Sequence, residues 1–600
     1  MWRGLSAGRV NGPVAVAADG AARHTVPMDD AQTTTSGPPG PLTDRPWLAS
    51  YAEGVPAEVE LPADSLPQML ADSAARYGSR VALDFFGATT SYAELGVLVE
   101  RAAQALRGLG VGAGDRVAIA LPNCPQHVVA FYGALRLGAV VVEHNPLYTR
   151  GELEHQLADC GAQVVVCWDK IAPVVDGLRA TTSVTSVVAV DLTTALPRAM
   201  RIKLRLPIAK ARTARTALTG PVPAGVLRWE HLVAASAPLD PATAGPAPLD
   251  TALLQYTGGT TGTPKGAVLT HQNLRVNAAQ GRAWVPGLVD GDETVYAVLP
   301  LFHAYGLTLC LTFAMSIGAT LVLLPRFDLE QMIEAIGRRP PTFLPAVPPI
   351  YARLAEAARA GDVDLTSVRY AISGAMSLPP DLVREWEAVT GGLLVEGYGM
   401  TEASPIALGN PVAASRRPGT IGVPFPSTDI RVVDREDPTR DVDVGQPGEL
   451  LVRGPQVFTG YWNRPQETAE VLLDGGWLRT GDVVVADADG FVRVVDRIKE
   501  LIITGGFNVY PSEVEEVLRE HPDVADAAVV GVRGEEGEQV VAVVVAIAGA
   551  RIEVDAVRAH ARERLTAYKV PRRVVVVDEL PRSLIGKVLR REVRDQVERD

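Results

Sequence analysis

Residues 116–168 read RVAIALPNCPQHVVAFYGALRLGAVVVEHNPLYTRGELEHQLADCGAQVVVCW, in which short apolar runs alternate with longer segments of helical pattern. Strands that are apolar on both faces are typical of parallel sheets covered by helices. Because the alternation continues to about residue 395, we predict a large α/β domain built from parallel-sheet subdomains. The elements predicted in this segment are a strand at 116–121, a helix at 126–137, a strand at 140–143, a helix at 152–159 and a strand at 163–168.

Changes of composition mark the domain boundaries. Residues 1–45 are rich in Ala, Gly, Thr and Pro without a sustained period, which predicts a disordered leader in which Met28 is an alternative translation start. The N-terminal domain is predicted at 46–496. Its part from 420 to 495 has the short strands and the Gly, Asp and Pro turns of a small β subdomain.

We predict that residues 497–600 form a separate, small α+β domain. Ser512 and Glu515 have the spacing of a capping box at its first helix. Its predicted elements are a helix at 512–519, strands near 527–532 and 540–547, a helix near 554–565 and a strand at 573–577.

Charge and cysteine content narrow the classes of function. The 600 residues carry 57 Lys and Arg against 70 Asp and Glu, a net charge of −13. This charge argues against nucleic acid as a partner, because such binding requires basic surface. The four cysteines have no C-x-x-C spacing, so neither a disulfide framework nor a zinc site is expected. No secretory signal is visible, and we expect a cytoplasmic protein.

Two segments are relevant to whether the protein spans or contacts a membrane. Residues 306–324 are apolar over nearly the length that spans a bilayer, but Thr, Ser and Gly interrupt them. We therefore predict a buried helix to 317, a Gly-Ala turn and a strand at 320–324. Residues 198–215 hold seven Lys and Arg, five interleaved apolar side chains and no acidic residue, with Pro207 breaking any helix. A solvated insertion loop and a peripheral contact with the anionic inner face of the membrane are both open interpretations.

Residues 256–266 read YTGGTTGTPKG and predict a loop that holds a polyphosphate. Glycines let the backbone approach a ligand closely, threonine hydroxyls and backbone N–H groups bond phosphate oxygens, and Lys265 adds a point charge. The run is not a Walker A loop, which requires Ser or Thr directly after Gly-Lys, whereas Gly266 follows Lys265 here. A flexible surface turn is the alternative, which the threonine content and the Pro-Lys-Gly ending disfavour.

Five further motifs follow in order along the chain. They read RYAISGAMSLPP at 369–380, EGYGMTEAS at 396–404, WLRTGD at 477–482, DRIKELIITGGFNVYP at 496–511 and PRSLIGKVLR at 581–590. Together with the loop at 256–266 they resemble the adenylate-forming superfamily of acyl-CoA synthetases, aryl-CoA ligases, firefly luciferase and peptide-synthetase adenylation domains. The resemblance covers residues 46–595. It implies that ATP and Mg²⁺ activate a carboxylate as an acyl-adenylate, which is then transferred to a thiol such as that of CoA.

The resemblance also implies roles for individual residues in binding ATP. Lys265 and the threonine-rich loop suit the β- and γ-phosphates, and Glu402 is the expected Mg²⁺ carboxylate. Tyr398 is expected to stack on adenine, Asp482 to accept both ribose hydroxyls, and Arg497 to reach ribose or phosphate. The expected ATP- and AMP-binding residues are Thr257, Gly258, Gly259, Thr260, Thr261, Gly262, Lys265, Gly374, Ala375, Gly397, Tyr398, Gly399, Asp482 and Arg497.

Catalysis is expected to depend on both domains. The resemblance assigns Lys587 as the cation that bridges the carboxylate and the α-phosphate, and Thr401 and Glu402 complete the expected catalytic set. In the family the small domain then rotates about a residue that maps to Lys499. The rotation would withdraw Lys587 and bring Gly505, Gly506 and Phe507 to the channel of CoA.

The acid is expected to be a medium- to long-chain fatty acid. Residues 300–307, PLFHAYGL, contain no acidic side chain to hold an amine, which disfavours an amino acid, and His303 is expected to line or gate the acyl pocket. The GFNVYP run and the basic segment resemble the fatty-acid branch, with aryl-CoA ligases as the alternative. A non-catalytic binder is disfavoured because Lys587, Glu402 and Asp482 are all present. Gly258 and Ser583 depart from the serine and threonine common at these positions, and both departures are mild.

Overall fold

The structure is a computed structural model that describes residues 40–42, 44–257, 264–504, 507–534, 537–583 and 586–599. The expected leader up to residue 39 therefore lies outside the described residues. Residues 40–45 were assigned to that leader by composition, yet Arg45 Nε donates to Asp429 Oδ1 at 2.7 Å, and Pro41 forms a β-bridge with Asp443. The folded unit therefore begins a few residues earlier than composition suggested.

The strands alternate with helices through the first two thirds of the chain. The strands are β1 Val81–Phe85, β2 Ala88–Ser91, β3 Arg116–Ala120, β4 Val140–Glu143, β5 Val164–Trp168, β6 Ser186–Val190, β7 Leu227–Arg228, β8 Thr251–Thr257, β9 Lys265–Thr270, β10 Thr294–Ala297, β11 Thr320–Leu323, β12 Phe343–Ala346, β13 Tyr370–Ser373, β14 Leu393–Gly399, β15 Ile406–Gly409, β16 Val423–Pro424, β17 Asp429–Val433, β18 Gly448–Arg453, β19 Gly460–Tyr461, β20 Leu472–Leu473, β21 Trp477–Ala486, β22 Val492–Arg497, β23 Ile502–Thr504, β24 Phe507–Val509, β25 Val524–Gly534, β26 Gly537–Ala546 and β27 Arg573–Val577.

Most helices lie between strands of the two large sheets. They are α1 Leu66–Tyr77, α2 Tyr92–Gly108, α3 Pro125–Arg136, α4 Arg150–Cys160, α5 Ala172–Asp176, α6 Arg198–Leu204, α7 Ala209–Leu218, α8 Trp229–Ala235, α9 His271–Trp284, α10 Phe313–Ser316, α11 Leu329–Arg338, α12 Pro348–Ala360, α13 Pro380–Thr390, α14 Pro465–Val471, α15 Pro511–Arg519, α16 Val554–Arg564 and α17 Arg590–Val597.

Two large sheets form the α/β part of the molecule. One has nine strands in the order β16-β15-β14-β13-β12-β10-β11-β1-β2, and the other has eight in the order β19-β9-β8-β4-β3-β5-β6-β7. Strands β10 to β14 pair in parallel, as do β3 to β6, which confirms the predicted parallel-sheet fold. In β3, Val117 and Ile119 pack into one hydrophobic core while Ala118 and Ala120 pack into another. Burial on both faces explains why these strands are continuously apolar.

Two five-stranded sheets complete the described fold. One joins β17, β18, β20, β21 and β22, as predicted for a small β subdomain, and the other joins β23 to β27. The predicted elements of the last hundred residues occur close to their predicted bounds. Helix α17, at 590–597, is an additional element of this domain.

The apolar segment 306–324 forms a helix and a strand, as predicted. The helix begins with π-type turns over Gly306–Thr312 and continues as α10, Gly318 turns the chain with φ +69°, and β11 follows. The chain returns here into the nine-stranded sheet. No helix among the described residues is long and apolar enough to cross a membrane.

The predicted capping box at Ser512 and Glu515 is wrong. Helix α15 begins at Pro511, one residue earlier, and no side chain caps it. The Ser512 N–H donates instead to Asp496 Oδ2 at 2.8 Å, and Glu515 Oε1 accepts from the Val529 N–H at 2.9 Å. Tertiary partners therefore take the groups that a local capping box would have paired.

Candidate active site

Several candidate residues follow the carboxyl ends of neighbouring parallel strands. Gly374 and Ala375 come directly after β13, and Thr401 and Glu402 form a short 3₁₀ turn after β14. Ligands of open α/β sheets bind at this edge. The expected phosphate loop joins β8 to β9, where Thr257 pairs with Lys265, while Gly258, Gly259, Thr260, Thr261 and Gly262 lie outside the described residues.

Glycines at this edge are required by close packing. A Cβ at Gly399 would lie 1.9 Å from the Pro405 carbonyl oxygen, so no other residue fits there. A Cβ at Gly374 would lie 3.1 Å from the Tyr305 ring, and one at Gly397 would lie 3.3 Å from Ile372 Cγ2. The backbone at these glycines therefore packs directly against neighbouring protein atoms.

Asp482 is the centre of one polar cluster. It is buried on β21, directly opposite Arg497 on β22. Asp482 Oδ2 accepts from the Tyr398 hydroxyl at 2.5 Å, and Asp482 Oδ1 lies 3.0 Å from Arg497 Nε. The charge of Asp482 raises the pKa of Arg497, and burial together with that charge raises the pKa of Tyr398 well above its ordinary value. The three groups form a hydrogen-bonded ion pair with both carboxylate oxygens engaged.

Glu402 is the centre of a second cluster. Its Oε1 accepts from the Tyr461 hydroxyl at 2.6 Å, and its backbone oxygen accepts from the Phe458 N–H at 2.8 Å. The Lys265 ammonium lies 5.2 Å from the centre of the Tyr461 ring. Tyr461 therefore contacts both the expected phosphate cation and the expected metal carboxylate.

The sequence motifs did not single out Tyr461. Its position depends on β19, a strand of two residues that pairs Tyr461 with Ala267 of β9. Partners separated by almost two hundred residues leave no local periodicity to detect. A Gly-Tyr-Trp run at 460–462 is the one sequence signal there.

Lys587 lies in a turn that packs on the large α/β part. The turn closes through the Ser583 N–H, which donates to the Lys587 oxygen at 2.8 Å, and the Lys587 N–H, which donates to Ser583 Oγ at 3.2 Å. Gly586 has φ +83°, and a Cβ there would lie 3.2 Å from Met376 Sδ. Burial, together with the charge of Arg497, lowers the pKa of the Lys587 ammonium to about 8. Lys587 thus lies within the field of the Asp482 cluster.

A charged network supports this turn and the segment of the expected hinge. Arg590 pairs with Glu500 and, at 2.8 Å, with Glu515 Oε2. Asp496 accepts from Ser512 N–H at 2.8 Å, and burial raises its pKa to about 6. Lys499 lies in the short 3₁₀ turn Ile498–Glu500 between these groups.

Two independent domain matches identify the family. The AMP-binding enzyme family matches residues 70–462, and the AMP-binding enzyme C-terminal domain matches residues 513–587. The chain belongs to the AMP-binding enzyme family.

Relatives of this AMP-binding enzyme cover nearly its whole length. It is 38% identical over 564 residues to the long-chain-fatty-acid–CoA ligase of Bacillus subtilis (strain 168), covering 92% of this chain and 98% of the relative. It is 37% identical over 515 residues to the feruloyl-CoA synthase of an Amycolatopsis species, covering 85% and 94%. The crystal structure of ATP-bound MatB from Rhodopseudomonas palustris is similar with a TM-score of 0.78 and 31% identity, covering 90% of this chain and 99% of that one.

Among the described residues, His303 of this AMP-binding enzyme forms no hydrogen bond with a residue of the two clusters. It is half-buried in the turn before the π-type helix, its Nδ1 accepts from the Tyr305 N–H at 3.2 Å, and burial lowers its pKa to about 4. Gly505 and Gly506 lie outside the described residues, and Phe507 begins β24. The structure thus gathers Tyr398, Asp482, Arg497 and Lys587 into one group and Lys265 and Glu402 into another.

Proposed function

We propose that this AMP-binding enzyme activates a long-chain fatty acid with ATP and then transfers the acyl group to CoA. The products would be acyl-CoA, AMP and pyrophosphate. The 38% identity to a long-chain-fatty-acid–CoA ligase over 92% of the chain supports the acid class, and the absence of an acidic side chain at 300–307 disfavours an amino acid. The position of Lys587 beside the Asp482 cluster is the observation that carries the proposal, because it brings the small domain to the nucleotide site.

The Asp482 cluster is the proposed nucleoside end of the site. Asp482 offers two carboxylate oxygens to the ribose hydroxyls, and Tyr398 offers a ring beside adenine. Arg497 and Tyr398 hold the carboxylate in place before ATP arrives, which lowers the cost of ordering it.

The Glu402 cluster is the proposed phosphate end. Mg²⁺ binds oxygen ligands and often uses one or two carboxylates together with substrate phosphates. Glu402 fits this pattern, because it is buried and forms no ion pair with any residue that the structure describes. When bound, Mg²⁺ would neutralise phosphate charge. Lys265 and the loop before it would hold the β- and γ-phosphates, which leave as pyrophosphate.

Lys587 is the proposed catalytic cation of the first half-reaction. Both reactants are anions, and an ammonium placed between the carboxylate and the α-phosphate offsets their repulsion and stabilises the charge of the transition state. Thr401 is proposed to bond the α-phosphate from the opposite side. For the second half-reaction we propose rotation about Lys499, which would withdraw Lys587 and bring Gly505, Gly506 and Phe507 to the thiol.

The acyl chain is proposed to enter beside His303. Burial keeps this ring neutral at ordinary pH, so it adds no charge to a lipid pocket. The long-chain-fatty-acid–CoA ligase relatives favour a fatty acid over the alternative of an aromatic acid, although one relative is a feruloyl-CoA synthase. The deciding experiment measures acid-dependent AMP release with CoA, scanned from acetate through palmitate and including benzoate and coumarate. Activity confined to the aromatic acids would overturn the fatty-acid proposal.

We further propose a peripheral contact with anionic lipid through the hairpin α6–α7. Pro207 lies between the two helices, and Ile202, Leu206 and Ile208 are 65%, 46% and 53% exposed. The seven Lys and Arg of residues 198–215 form no ion pair with any described residue. Basic charge beside exposed apolar side chains suits a membrane surface, and a lipid substrate would partition there.

Vesicle sedimentation tests this contact. We expect the full chain to sediment with anionic vesicles at low salt and much less at high salt, because the attraction is screened. A variant with Ile202→Ser and Ile208→Ser should bind less at both salt concentrations. Equal sedimentation with neutral and anionic vesicles would contradict the contact.

A further inference from the structure

Tyr461 contacts two groups of opposite charge, the Glu402 carboxylate and the Lys265 ammonium. Its hydroxyl donates to Glu402 Oε1 at 2.6 Å, and its ring lies 5.2 Å from Lys265 Nζ. Within the described residues, neither Lys265 nor Glu402 takes part in an ion pair. An unpaired cation and an unpaired carboxylate at one site are unusual, because proximity favours a salt bridge.

The backbone explains how Tyr461 reaches this position. Strand β19 pairs with β9, and the Trp462 N–H donates to the Gly266 oxygen at 2.8 Å, which fixes Tyr461 beside the strand that begins with Lys265. The Phe458 N–H holds the Glu402 backbone oxygen from the same segment. Residues 458–462 therefore connect β9, the strand that begins with Lys265, to the turn at 401–403.

The chemistry of the hydroxyl suits a permanent donor. A phenol hydroxyl has one proton to donate, and the Tyr461 hydroxyl donates it to Glu402 Oε1 at 2.6 Å. A donor on Oε1 fixes the plane of the carboxylate and leaves Oε2 as the remaining acceptor. Hydrogen bonds to a charged acceptor are among the stronger ones in proteins.

We propose that Tyr461 is a positioning residue that keeps Lys265 and Glu402 apart and holds the Glu402 carboxylate ready for Mg²⁺-ATP. The hydroxyl orients the Glu402 carboxylate. The ring gives the Lys265 ammonium a cation–π partner, so that the ammonium does not pair with that carboxylate. Both charges thus stay available to the incoming metal and phosphates. This inference rests on the proposed role of Glu402 as the metal carboxylate.

The test compares ATP binding by calorimetry, with excess Mg²⁺ and with EDTA, using the full chain without fatty acid so that no turnover occurs. The measured quantity is the gain in ATP affinity that Mg²⁺ produces. We expect Tyr461→Phe to reduce this gain about tenfold, as for loss of one hydrogen bond to a charged group, while binding of metal-free ATP changes much less. An unchanged or increased gain would overturn the proposal.

A second substitution separates the hydroxyl from the ring. Tyr461→Leu removes both, so Lys265 and Glu402 are free to pair, and we expect metal-free ATP binding to weaken as well. If Tyr461→Leu weakens metal-free binding no more than Tyr461→Phe does, the ring has no separating role. The melting temperature of each variant shows whether it folds.

Two controls distinguish the possible failures. Tyr51→Phe is the control, because it also removes a tyrosine hydroxyl that donates one hydrogen bond, here to the Pro424 backbone oxygen at 2.7 Å, outside both clusters. It should keep the Mg²⁺-dependent gain, and an equal loss in this variant would show general loosening and contradict the inference. Glu402→Gln should remove the gain. If it does not, the proposed metal role of Glu402 fails, whereas a normal gain in Tyr461→Phe alone rejects the role of Tyr461 alone.

Discussion

The two tyrosine–carboxylate pairs of the site differ in how the carboxylate charge is balanced. Asp482 accepts from Tyr398 at 2.5 Å and also pairs with Arg497 at 3.0 Å, so its charge is met within the protein. Glu402 accepts from Tyr461 at 2.6 Å but has no cationic partner among the described residues. A carboxylate that must bind neutral hydroxyls can be neutralised in advance. One that must bind a cation has to stay unpaired, at a cost in desolvation that only the ligand offsets.

The largest effect is expected at Lys587, beside the neutralised pair. We expect Lys587→Ala to lower the rate of adenylation by roughly two to three orders of magnitude, because a cation aimed at the developing charge is lost. Pyrophosphate release without CoA measures this step. Thioester formation from synthetic acyl-adenylate should be spared, and equal loss of both half-reactions would contradict the role. Lys569→Ala is a control on the same domain, where Lys569 pairs with Glu513 at 2.6 Å.

The next effect tests the difference between the two carboxylates directly. We expect Glu402→Gln to lower adenylation about a hundredfold and to raise the Mg²⁺ concentration required, since a metal ligand is lost. Asp482→Asn should instead raise the KM for ATP without changing the Mg²⁺ requirement. Titration of the initial rate with Mg²⁺ at saturating ATP separates the two. The comparison fails if both variants shift the Mg²⁺ requirement equally.

The third effect is a fall of activity with rising pH, which depends on Lys587 beside the Asp482 cluster. Burial and Arg497 lower the pKa of Lys587 to about 8, and the ammonium is the active form, so activity should fall as pH rises through that value. At one pH unit above this pKa about one tenth of the lysines stay charged, and kcat/KM for ATP should fall about tenfold. Lys587→Arg, whose side chain stays charged, should show no such fall. A fall of the same size in that variant would assign the pKa to another group.

The smallest effect is expected for Tyr398→Phe. Arg497 still holds Asp482 Oδ1 when the tyrosine hydroxyl is absent, so we expect the KM for ATP to rise only about threefold. Glu402 has no second partner of this kind, so Tyr461→Phe should have a larger effect than Tyr398→Phe. Steady-state kinetics at fixed Mg²⁺ measure the Tyr398 effect. A larger loss here than at Tyr461 would reverse the comparison.

The fold could be predicted from sequence where the signal is local. Strand Val140–Glu143 has the predicted bounds, and the segment 306–324 forms the predicted helix and strand, because apolar periodicity records burial residue by residue. Apolar periodicity did not predict the π-type turns at Gly306–Thr312.

Tertiary competition explains what the sequence did not predict. Ser512 and Glu515 have the right spacing for a capping box, but Asp496, sixteen residues earlier, accepts the N–H that the box would use. Tyr461 reaches Glu402 through a strand of two residues, too short to leave a pattern. Motifs indicated the charged residues of the site and Tyr398, whereas Tyr461, which holds Glu402, became visible only with the fold.

The turn that contains Gly586 and Lys587 affects how the protein is distributed between the two arrangements of its domains. Gly586 allows the turn to lie against Met376, where a Cβ would be 3.2 Å from Sδ. This packing accompanies the position of Lys587 beside the Asp482 cluster and would be lost on the proposed rotation. Its contribution therefore favours one arrangement of the two domains over the other without touching a reacting atom. If the proposed rotation occurs, Gly586 and Met376 would therefore help to set the balance between the two arrangements.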